Sequence, residues 1–256
     1  MNKAVLQKFI AEAGFCSRRQ AQTLIESGRV MVNGKAAELG MRVSLEDEVK
    51  IDGKVLGLAK SKIYIILNKS VGYACTHAKV KGEKNVYDLV RLNEKLFVVG
   101  RLDKNSRGLV LLTNDGALAE RLAHPRYEHE KEYAVKVKDV RGRFDARGIV
   151  EIMEAGVDIG EGDGVVRAKS VKYVGADPLP AADPKNSQSR KKDKRHNFRI
   201  ILTYGKKRQI RRMFKAIGCE VVDLQRTRIG SLRLNALKEN EWRKLTEFEI
   251  KRLKAV

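Results

Sequence analysis

Apolar residues at the start of the chain recur with the 3.6-residue period of a helix. The first predicted helix has an apolar stripe formed by Leu6, Phe9, Ile10 and Ala13. Gly14 ends this helix. Ser17 and Gln20 have the spacing of a capping box, in which each residue accepts a hydrogen bond from the backbone of the other. They predict a second helix that begins after Ser17 and ends at Gly28.

The pattern then changes to short strand-like runs separated by turn residues. Asn33-Gly34 and Asp52-Gly53 are typical of type I′ hairpin turns, and strands are predicted around residues 29–32 and 49–51. Two helices followed by a small hairpin sheet form a complete folding unit. We therefore predict a separate domain over residues 1–58.

Strand and helix patterns are mixed irregularly over residues 59–256, which we predict to be a second domain. Predicted strands cover 63–67, 96–99, 109–112, 133–137, 165–174, 198–203 and 220–224. Predicted helices cover 86–92, 117–123, 144–153, 208–217 and the residues after Thr246, which forms a capping box with Glu249. Without a regular βαβ repeat, this order predicts an α+β domain whose mixed, largely antiparallel sheet is flanked by helices.

One carboxylate stands in a polar loop bounded by glycines. The stretch from Gly100 to Gly116 contains Asp103, then the apolar run Leu109–Leu112 of a predicted buried strand, and then Asn114-Asp115-Gly116, which predicts a turn. An aspartate in such a loop most often caps a turn, so the residues alone leave the role of Asp103 open.

The predicted helix 208–217 separates its arginines by position. Its buried stripe consists of Ile210, Met213, Phe214 and Ile217, and its opposite face carries Arg208, Arg212 and Lys215. Arg211 falls at the edge of the stripe. A guanidinium in that position can reach into a pocket, so we predict a different role for Arg211 than for Arg208 or Arg212.

Residues 176–197 differ from the rest of the chain in composition. They contain Pro178, Pro180 and Pro184, followed by a basic run without large apolar residues. We predict a long, flexible basic loop. A nuclear-targeting patch is the alternative reading, which the composition does not exclude.

The charge balance indicates a polyanionic partner. The 256 residues include 53 Lys and Arg against 32 Asp and Glu, a net charge of +21. Nucleic acid fits this excess better than a membrane does. No apolar run of membrane-spanning length or signal-peptide core occurs, so we expect a cytoplasmic monomer.

Metal and cofactor signatures are missing from the sequence. The three cysteines are too far apart for a CxxC-type zinc site, and the four histidines are scattered. No phosphate-binding glycine loop and no GxSxG motif occurs. We therefore expect neither a metal nor a cofactor.

The first predicted domain resembles a known RNA-binding module. Residues 6–21 and 28–35 are similar to the S-four type RNA-binding domain, named after a small-subunit ribosomal protein. The resemblance implies that the basic second helix docks on structured RNA. Arg18 and Arg19 lie in the first turn of that helix, where cations oppose the helix dipole, so we expect them to bind phosphate. A merely solvated helix start is the alternative.

The second predicted domain resembles the RNA pseudouridine synthases, specifically the ribosomal RNA branch that carries an S-four type domain. The similar blocks are 67–72, 100–116, 129–133, 208–213 and 224–230. Ser70 departs from the family pattern, in which a proline is usual at this position. Residues 176–197 are not explained by the resemblance.

The resemblance implies chemistry in which uracil is detached from ribose, rotated and rejoined through carbon, without metal or cofactor. Asp103 would be the nucleophile, and Arg211 would pair with it and orient it. Tyr133 would stack on the extracted uracil and assist proton transfer, and Leu224 would line the other side. Arg101 would occupy the place of the flipped base. Outside its motif, Tyr133 would be read as an ordinary strand aromatic.

The partner implied by the resemblance is ribosomal RNA. Phosphate contacts are predicted for Lys206, Lys207, Arg208 and Arg212, together with Arg18 and Arg19. Large-subunit 23S RNA is the expected target, mainly from the block 129–133, and small-subunit 16S RNA is the alternative. A non-catalytic RNA-binding or ribosome-assembly factor is the alternative function. Binding alone would not require Asp103, Tyr133 and Arg211 together.

Overall fold

The computed structural model describes residues 3–57, 61–78, 80–140, 145–175 and 197–255. The chain forms two compact units. Unit 1 consists of Met1–Tyr64, Arg91–Phe97 and Leu112–Ala119, and unit 2 consists of Ile65–Val90, Val98–Leu111 and Glu120–Val256. The predicted domain boundary between residues 58 and 59 stays a prediction.

The N-terminal part of unit 1 has the predicted helices and hairpins. Its elements are β1 Ala4–Val5, α1 Leu6–Glu12, α2 Arg18–Glu26, β2 Val30–Val32, β3 Lys35–Ala36, β4 Arg42–Val43, β5 Val49–Ile51 and β6 Lys54–Val55. Within the described residues, β3, β2, β5 and β6 form one sheet in that order, and β1 pairs with β4. The helices pack on this sheet through a core that includes Leu6, Ile10, Ala21 and Ile25.

The local signals that predicted these elements are confirmed. The Gln20 amide donates to Ser17 Oγ at 3.2 Å, and the Ser17 amide donates to Gln20 Oε1 at 3.0 Å, so the capping box is complete. Asn33 and Gly34 have φ values of 49° and 78°. Positive φ at both central residues is what a type I′ turn requires.

The rest of the chain forms a longer series of strands and helices. The elements are β7 Tyr64–Lys69, α3 Val86–Leu89, β8 Phe97–Val99, β9 Arg107–Thr113, α4 Gly116–Ala123, a 3₁₀ turn Pro125–Tyr127, β10 Lys131–Asp139, α5 Ala146–Ala155, β11 Val157–Asp158, β12 Val165–Val166, β13 Ser170–Tyr173, β14 Phe198–Leu202, α6 Gln209–Ala216, β15 Cys219–Ile229, β16 Leu232–Arg233, β17 Trp242–Lys244 and α7 Glu247–Lys254.

Most of these strands belong to one mixed sheet. In the described part of the chain its order is β13-β14-β10-β15-β9-β7-β17, with β8 beside β9 and β16 beside β15. β15 runs parallel to β9, whereas it runs antiparallel to β10 and β16. The predicted α+β class with a largely antiparallel sheet is confirmed. The parallel pair has a functional consequence, because it brings Arg226 opposite Gly108.

Helices α5 and α6 pack on the sheet through an apolar core. Ile210, Met213 and Phe214 of α6 are buried, and Ile217 packs at the edge, so the predicted stripe is confirmed. Phe214 meets the ring of Phe198 from β14 at a centroid distance of 5.4 Å. The loop before α6 and the residues of β15 are thereby held in fixed positions.

Three predictions at the level of elements are corrected. The predicted turn at Asn114-Asp115-Gly116 is instead the start of α4, where Asp115 Oδ1 accepts from the Leu118 amide at 3.2 Å. The predicted strand 165–174 is two strands, β12 and β13. The predicted helix 86–92 ends at Leu89.

The predicted loop 176–197 lies outside the described residues except for Asn197. Asn197 is buried directly before β14, and its Oδ1 accepts from the Val137 amide of β10 at 2.7 Å. Phe144, with which a predicted helix began, is also outside the described residues, and α5 begins at Ala146. In the described ranges, the helices are too short or too polar to cross a bilayer.

We expect Phe214→Ala to destabilise unit 2 by about 3 to 5 kcal/mol, because it leaves a cavity at a fully buried ring. Urea unfolding followed by the fluorescence of Trp242, the one tryptophan of the chain, measures the change. Phe248→Ala is the matched control, since that ring is 68% exposed, and it should change stability by less than about 0.5 kcal/mol. Equal effects of the two variants would contradict the assigned core.

Candidate active site

A basic cleft of about 560 Å³ opens in unit 2 around the loop that contains Asp103. Asp103 is the one acidic side chain among the described residues that line it. The basic residues of the lining are Arg101, Lys104, Lys131, Lys206, Lys207, Arg208 and Arg226. This excess of positive charge suits a polyanion, and the single carboxylate lies within it.

Asp103 occupies the first position of a tight turn that other segments hold in place. The Ser106 amide donates to the Asp103 carbonyl at 3.0 Å and closes the turn. The Gly72 amide, from the loop after β7, donates to the Lys104 carbonyl at 2.8 Å. The backbone that carries the carboxylate is therefore fixed by two hydrogen bonds before any side chain is considered.

Arg226 forms hydrogen bonds to both ends of the same loop. Its side chain is 1% exposed, its Nε donates to the Leu109 carbonyl at 2.8 Å, and its Nη2 donates to the Gly100 carbonyl at 2.6 Å. Arg226 pairs with Gly108 of β9, next to Leu109, and its planar guanidinium can bond two carbonyls at once.

Arg211 lies behind the turn instead of at the opening of the cleft. Its Nη2 donates to the Asn105 carbonyl at 2.6 Å, and its Nη1 donates to the Val221 carbonyl at 2.8 Å. In the described part of the chain no ion pair joins it to Asp103, although the two charges interact through space. Burial lowers the pKa of Arg211, Arg208 lowers it further, and Asp103 and Asp223 oppose this.

Lys69 is a buried cation that the sequence analysis did not single out. The side chain is 0% exposed, and its Nζ donates to the carbonyls of Ser70 at 2.9 Å and Lys104 at 3.3 Å. Burial lowers the pKa of Lys69 to about 8, Arg226 acts in the same direction, and Asp103 opposes it. Its one sequence signal is a lysine at the end of an apolar strand run.

Lys131 adds a further cation beneath the loop. It is half-buried, and its Nζ donates to the His129 carbonyl at 3.2 Å. Burial lowers the pKa of Lys131, and the positive charge of Arg226 adds to the effect. Within the described residues, Lys69, Lys131, Arg211 and Arg226 bond carbonyl oxygens and not carboxylates, so their charges are not neutralised.

Tyr133 and Leu224 line the cleft from adjacent strands. Tyr133 of β10 pairs with Arg226 of β15, and the register of the two strands shifts between Glu132 and Tyr133. Such an irregularity redirects a side chain relative to its neighbours on the strand. Leu224 is buried and lies two residues before Arg226. The structure thus brings an aromatic ring, an apolar side chain and Asp103 to one cleft.

Three of the six predicted phosphate-binding residues, Lys206, Lys207 and Arg208, lie exposed along this cleft. Arg101, which is predicted to take the place of the flipped base, is also exposed at its edge. Arg208 has a left-handed backbone with φ 54°, directly before α6. A non-glycine residue in this conformation is uncommon, and the segment is fixed here because the Lys206 amide donates to Gln209 Oε1 at 2.9 Å.

Arg212 does not line the cleft. Its Nη1 donates to Asp163 Oδ2 at 2.6 Å, and its Nε and Nη2 donate to the Ile159 carbonyl. All nitrogens of this guanidinium are used inside unit 2, which fits a structural role better than the predicted phosphate contact. Arg18 and Arg19 are exposed on α2 of unit 1, and their predicted role stays a prediction.

A basic cleft around one carboxylate suits an enzyme that acts on a nucleic acid, and comparison with known families gives the class. A family model described as "RNA pseudouridylate synthase" matches residues 63–216, and one described as "S4 domain" matches residues 6–49. The chain belongs to the RNA pseudouridine synthase family, in the group that carries this N-terminal RNA-binding domain. The resemblances drawn from the sequence motifs are confirmed.

Relatives with assigned names are similar over almost the whole chain. "Ribosomal large subunit pseudouridine synthase B" of Bacillus subtilis is 36% identical and covers 98% of this chain and 96% of its own length. "Dual-specificity RNA pseudouridine synthase RluF" of Escherichia coli K12 is 40% identical, covering 96% of this chain and 76% of the relative. A crystal structure of a pseudouridylate synthase aligns with a TM-score of 0.64 and 29% identity, covering 97% of this chain and 99% of that one.

Gly108→Ala should disrupt the loop from its anchored end. Gly108 has φ +106°, and an added Cβ would lie 2.7 Å from the Arg226 nitrogen and closer still to its carbonyl oxygen. We expect a loss of about 2 kcal/mol or more, measured by urea unfolding followed through Trp242. Gly57→Ala, with ordinary φ and no atom within 4 Å of its Cβ, is the control. Unchanged stability of Gly108→Ala would show that β9 and β15 are not packed as described.

Lys69 should make the stability of unit 2 rise with pH in the alkaline range. Folding lowers its pKa from 10.5 to about 8, so between these values the unfolded chain binds a proton that the folded chain releases. The free energy of unfolding should therefore increase with pH by up to about 1.4 kcal/mol per unit, relative to Lys69→Met. Below pH 8 Lys69 is protonated in both the folded and the unfolded chain. The difference in free energy of unfolding between the wild type and Lys69→Met should therefore be constant there. If this difference in free energy of unfolding did not change from pH 8 to 10, the pKa of Lys69 would not be lowered by folding.

Proposed function

We propose that this enzyme isomerises one uridine, or a few neighbouring ones, in large-subunit 23S ribosomal RNA, with Asp103 as the nucleophile. The observation that carries the proposal is the position of Asp103. It is the lone carboxylate of the described cleft lining. Lys69 and Arg211 bond carbonyls of its turn, and Arg226 bonds the Gly100 carbonyl at the start of the same loop. Preorganised charge around a reacting group is a large contributor to catalysis.

The reaction needs no net oxidation or reduction. The bond between ribose C1′ and uracil N1 breaks, and the Asp103 carboxylate bonds or stabilises C1′. The released base turns, and a bond forms between C1′ and C5 while any bond between Asp103 and C1′ breaks. The proton on C5 leaves to solvent, and N1 takes a proton from solvent. Every atom of the substrate except the exchanged proton remains in the product.

A uridine must leave its stack to reach Asp103. In this proposal Tyr133 stacks on one face of the uracil and Leu224 contacts the other. The support is that both side chains line the cleft that contains Asp103. Arg101 lies exposed at its edge, where it can fill the space that the flipped base vacates. Lys206, Lys207 and Arg208 then hold the flanking phosphates.

Arg211 acts on Asp103 as a positioning residue. Its guanidinium fixes the Asn105 carbonyl within the turn, and its charge interacts with Asp103 through space. This role differs from the direct pair expected from the sequence. It still provides orientation, since the turn that carries the carboxylate is bonded to the arginine.

The large-subunit target is supported by the name of the Bacillus subtilis relative. The Escherichia coli relative is named as having dual specificity, so 16S RNA and other RNAs belong in the test. We propose that the enzyme works as a monomer in the cytoplasm, where ribosomal RNA is modified. Mapping pseudouridines in ribosomal RNA from cells with and without the gene would identify the uridine.

Asp103→Asn should abolish tritium release from ribosomal RNA labelled at uridine C5, because it removes the charge and keeps the size of the side chain. RNA binding should persist in the same variant. Asp158→Asn, at an exposed aspartate outside the cleft lining, is the matched control and should keep wild-type activity. Wild-type release by Asp103→Asn would disprove the nucleophile. No release by the unaltered enzyme from any RNA would favour the non-catalytic alternative.

A further inference from the structure

Unit 2 has a second cavity, at the C-terminal end of the chain. It encloses about 680 Å³ and is formed by the end of β15, the turn to β16, β17 and the first turns of α7. No residue that lines it also lines the Asp103 cleft. The proposed reaction leaves this cavity without a role.

The lining of the second cavity is strongly basic. Two of its cations are neutralised: Arg228 is bonded to Glu130 and Glu132, and Arg243 forms a two-point ion pair with Glu249 at 2.7 Å. In the described part of the chain no ion pair engages the remaining lining cations, which are Arg233, Lys244 and Arg252. These three side chains are exposed, and their charge is free to attract an anion.

Glu249, the one acidic residue among the described lining, is already committed to the fold. Besides Arg243, it accepts from the Thr246 amide at 2.9 Å in the capping box of α7. The hydrogen bonds from Arg243 contribute most to lowering the pKa of Glu249, to about 2. Its charge thus fixes the start of α7 and adds little repulsion toward an anion in the cavity.

An aromatic ring stands exposed among these cations. Phe248, in the first turn of α7, is 68% exposed, although α7 is anchored to the core by Leu253. The guanidinium of Arg252 lies over the Phe248 ring at 5.6 Å from its centroid. Exposed rings beside cations are the usual platform on which unpaired bases stack.

The Ser231 hydroxyl is a further polar group of this cavity. Ser231 lines the cavity, and its Oγ is buried without a hydrogen-bond partner in the described structure. A buried hydroxyl without a partner is costly, and a phosphate or base oxygen in the cavity would accept its hydrogen bond.

We infer that this cavity is a second RNA-binding site, which holds phosphates on Arg233, Lys244 and Arg252 and stacks an unpaired base on Phe248. The inference rests on the proposed function, because ribosomal RNA is the polyanion that the enzyme must hold. β15 connects the two sites: Arg226 lines the cleft, and Arg228 lines the cavity about 7 Å further along the strand. RNA flanking the target uridine is therefore the occupant that fits.

The test is the affinity of the full chain for an unmodified large-subunit ribosomal RNA transcript, measured by filter binding at several KCl concentrations. Phe248→Ala should weaken binding about tenfold through the loss of one stacked base, and Phe248→Tyr should restore it. Neutralising Arg233, Lys244 and Arg252 together to Gln should reduce the slope of log affinity against log salt by about 2 to 3. Lys251→Gln, on the same helix but outside the cavity, is the matched control.

Binding equal to the wild type in both cavity variants would overturn the inference, as would an effect of Lys251→Gln as large as theirs. Loss of affinity for a polyglutamate peptide with RNA binding unchanged would show a protein-docking surface and also overturn it. Melting curves of each variant exclude unfolding. Tritium release by the wild-type enzyme tests the proposed function separately, so either idea can fail while the other stands.

Discussion

The structure of the site depends on one buried guanidinium. Arg226 bonds the carbonyls of Gly100 and Leu109, which stand at either end of the loop that carries Asp103. A buried arginine cannot lose its proton, so it must be satisfied by hydrogen bonds wherever the chain places it. Here the acceptors are backbone oxygens, and satisfying the arginine at the same time fixes the loop.

The same choice of acceptors explains the electrostatics of the cleft. Lys69, Lys131 and Arg211 also donate to carbonyl oxygens, which carry no net charge. A carboxylate partner would have cancelled each cation, whereas a carbonyl leaves its field intact. The fold thus combines rigidity with a positive potential at Asp103, and the cost is the desolvation that lowers the pKa of both lysines.

β15 connects the Asp103 cleft to the second cavity. Its parallel pairing with β9 places Arg226 under the Asp103 loop, its shifted register with β10 positions Tyr133, and its last residues reach the second cavity. Because one continuous strand contacts all three, a displacement of β15 would move Tyr133 and the Asp103 loop together. The tight approach of Gly108 to Arg226 leaves little room for such a displacement.

Local signals in the sequence were sufficient for the helices, the hairpin turns and the motif around Asp103, because capping boxes, Asn-Gly pairs and apolar periods act over a few residues. Asn114-Asp115-Gly116 was ambiguous for the same reason, since turns and helix starts use the same residues. The hydrogen-bond partners of the arginines were decided only by the tertiary structure. The helical period separated Arg211 from Arg212 but did not give the partner of either: Arg226 anchors the loop, Arg211 fixes the turn and Arg212 bonds Asp163. Which carbonyl or carboxylate each guanidinium meets depends on strands and loops distant in sequence, and no local pattern records that.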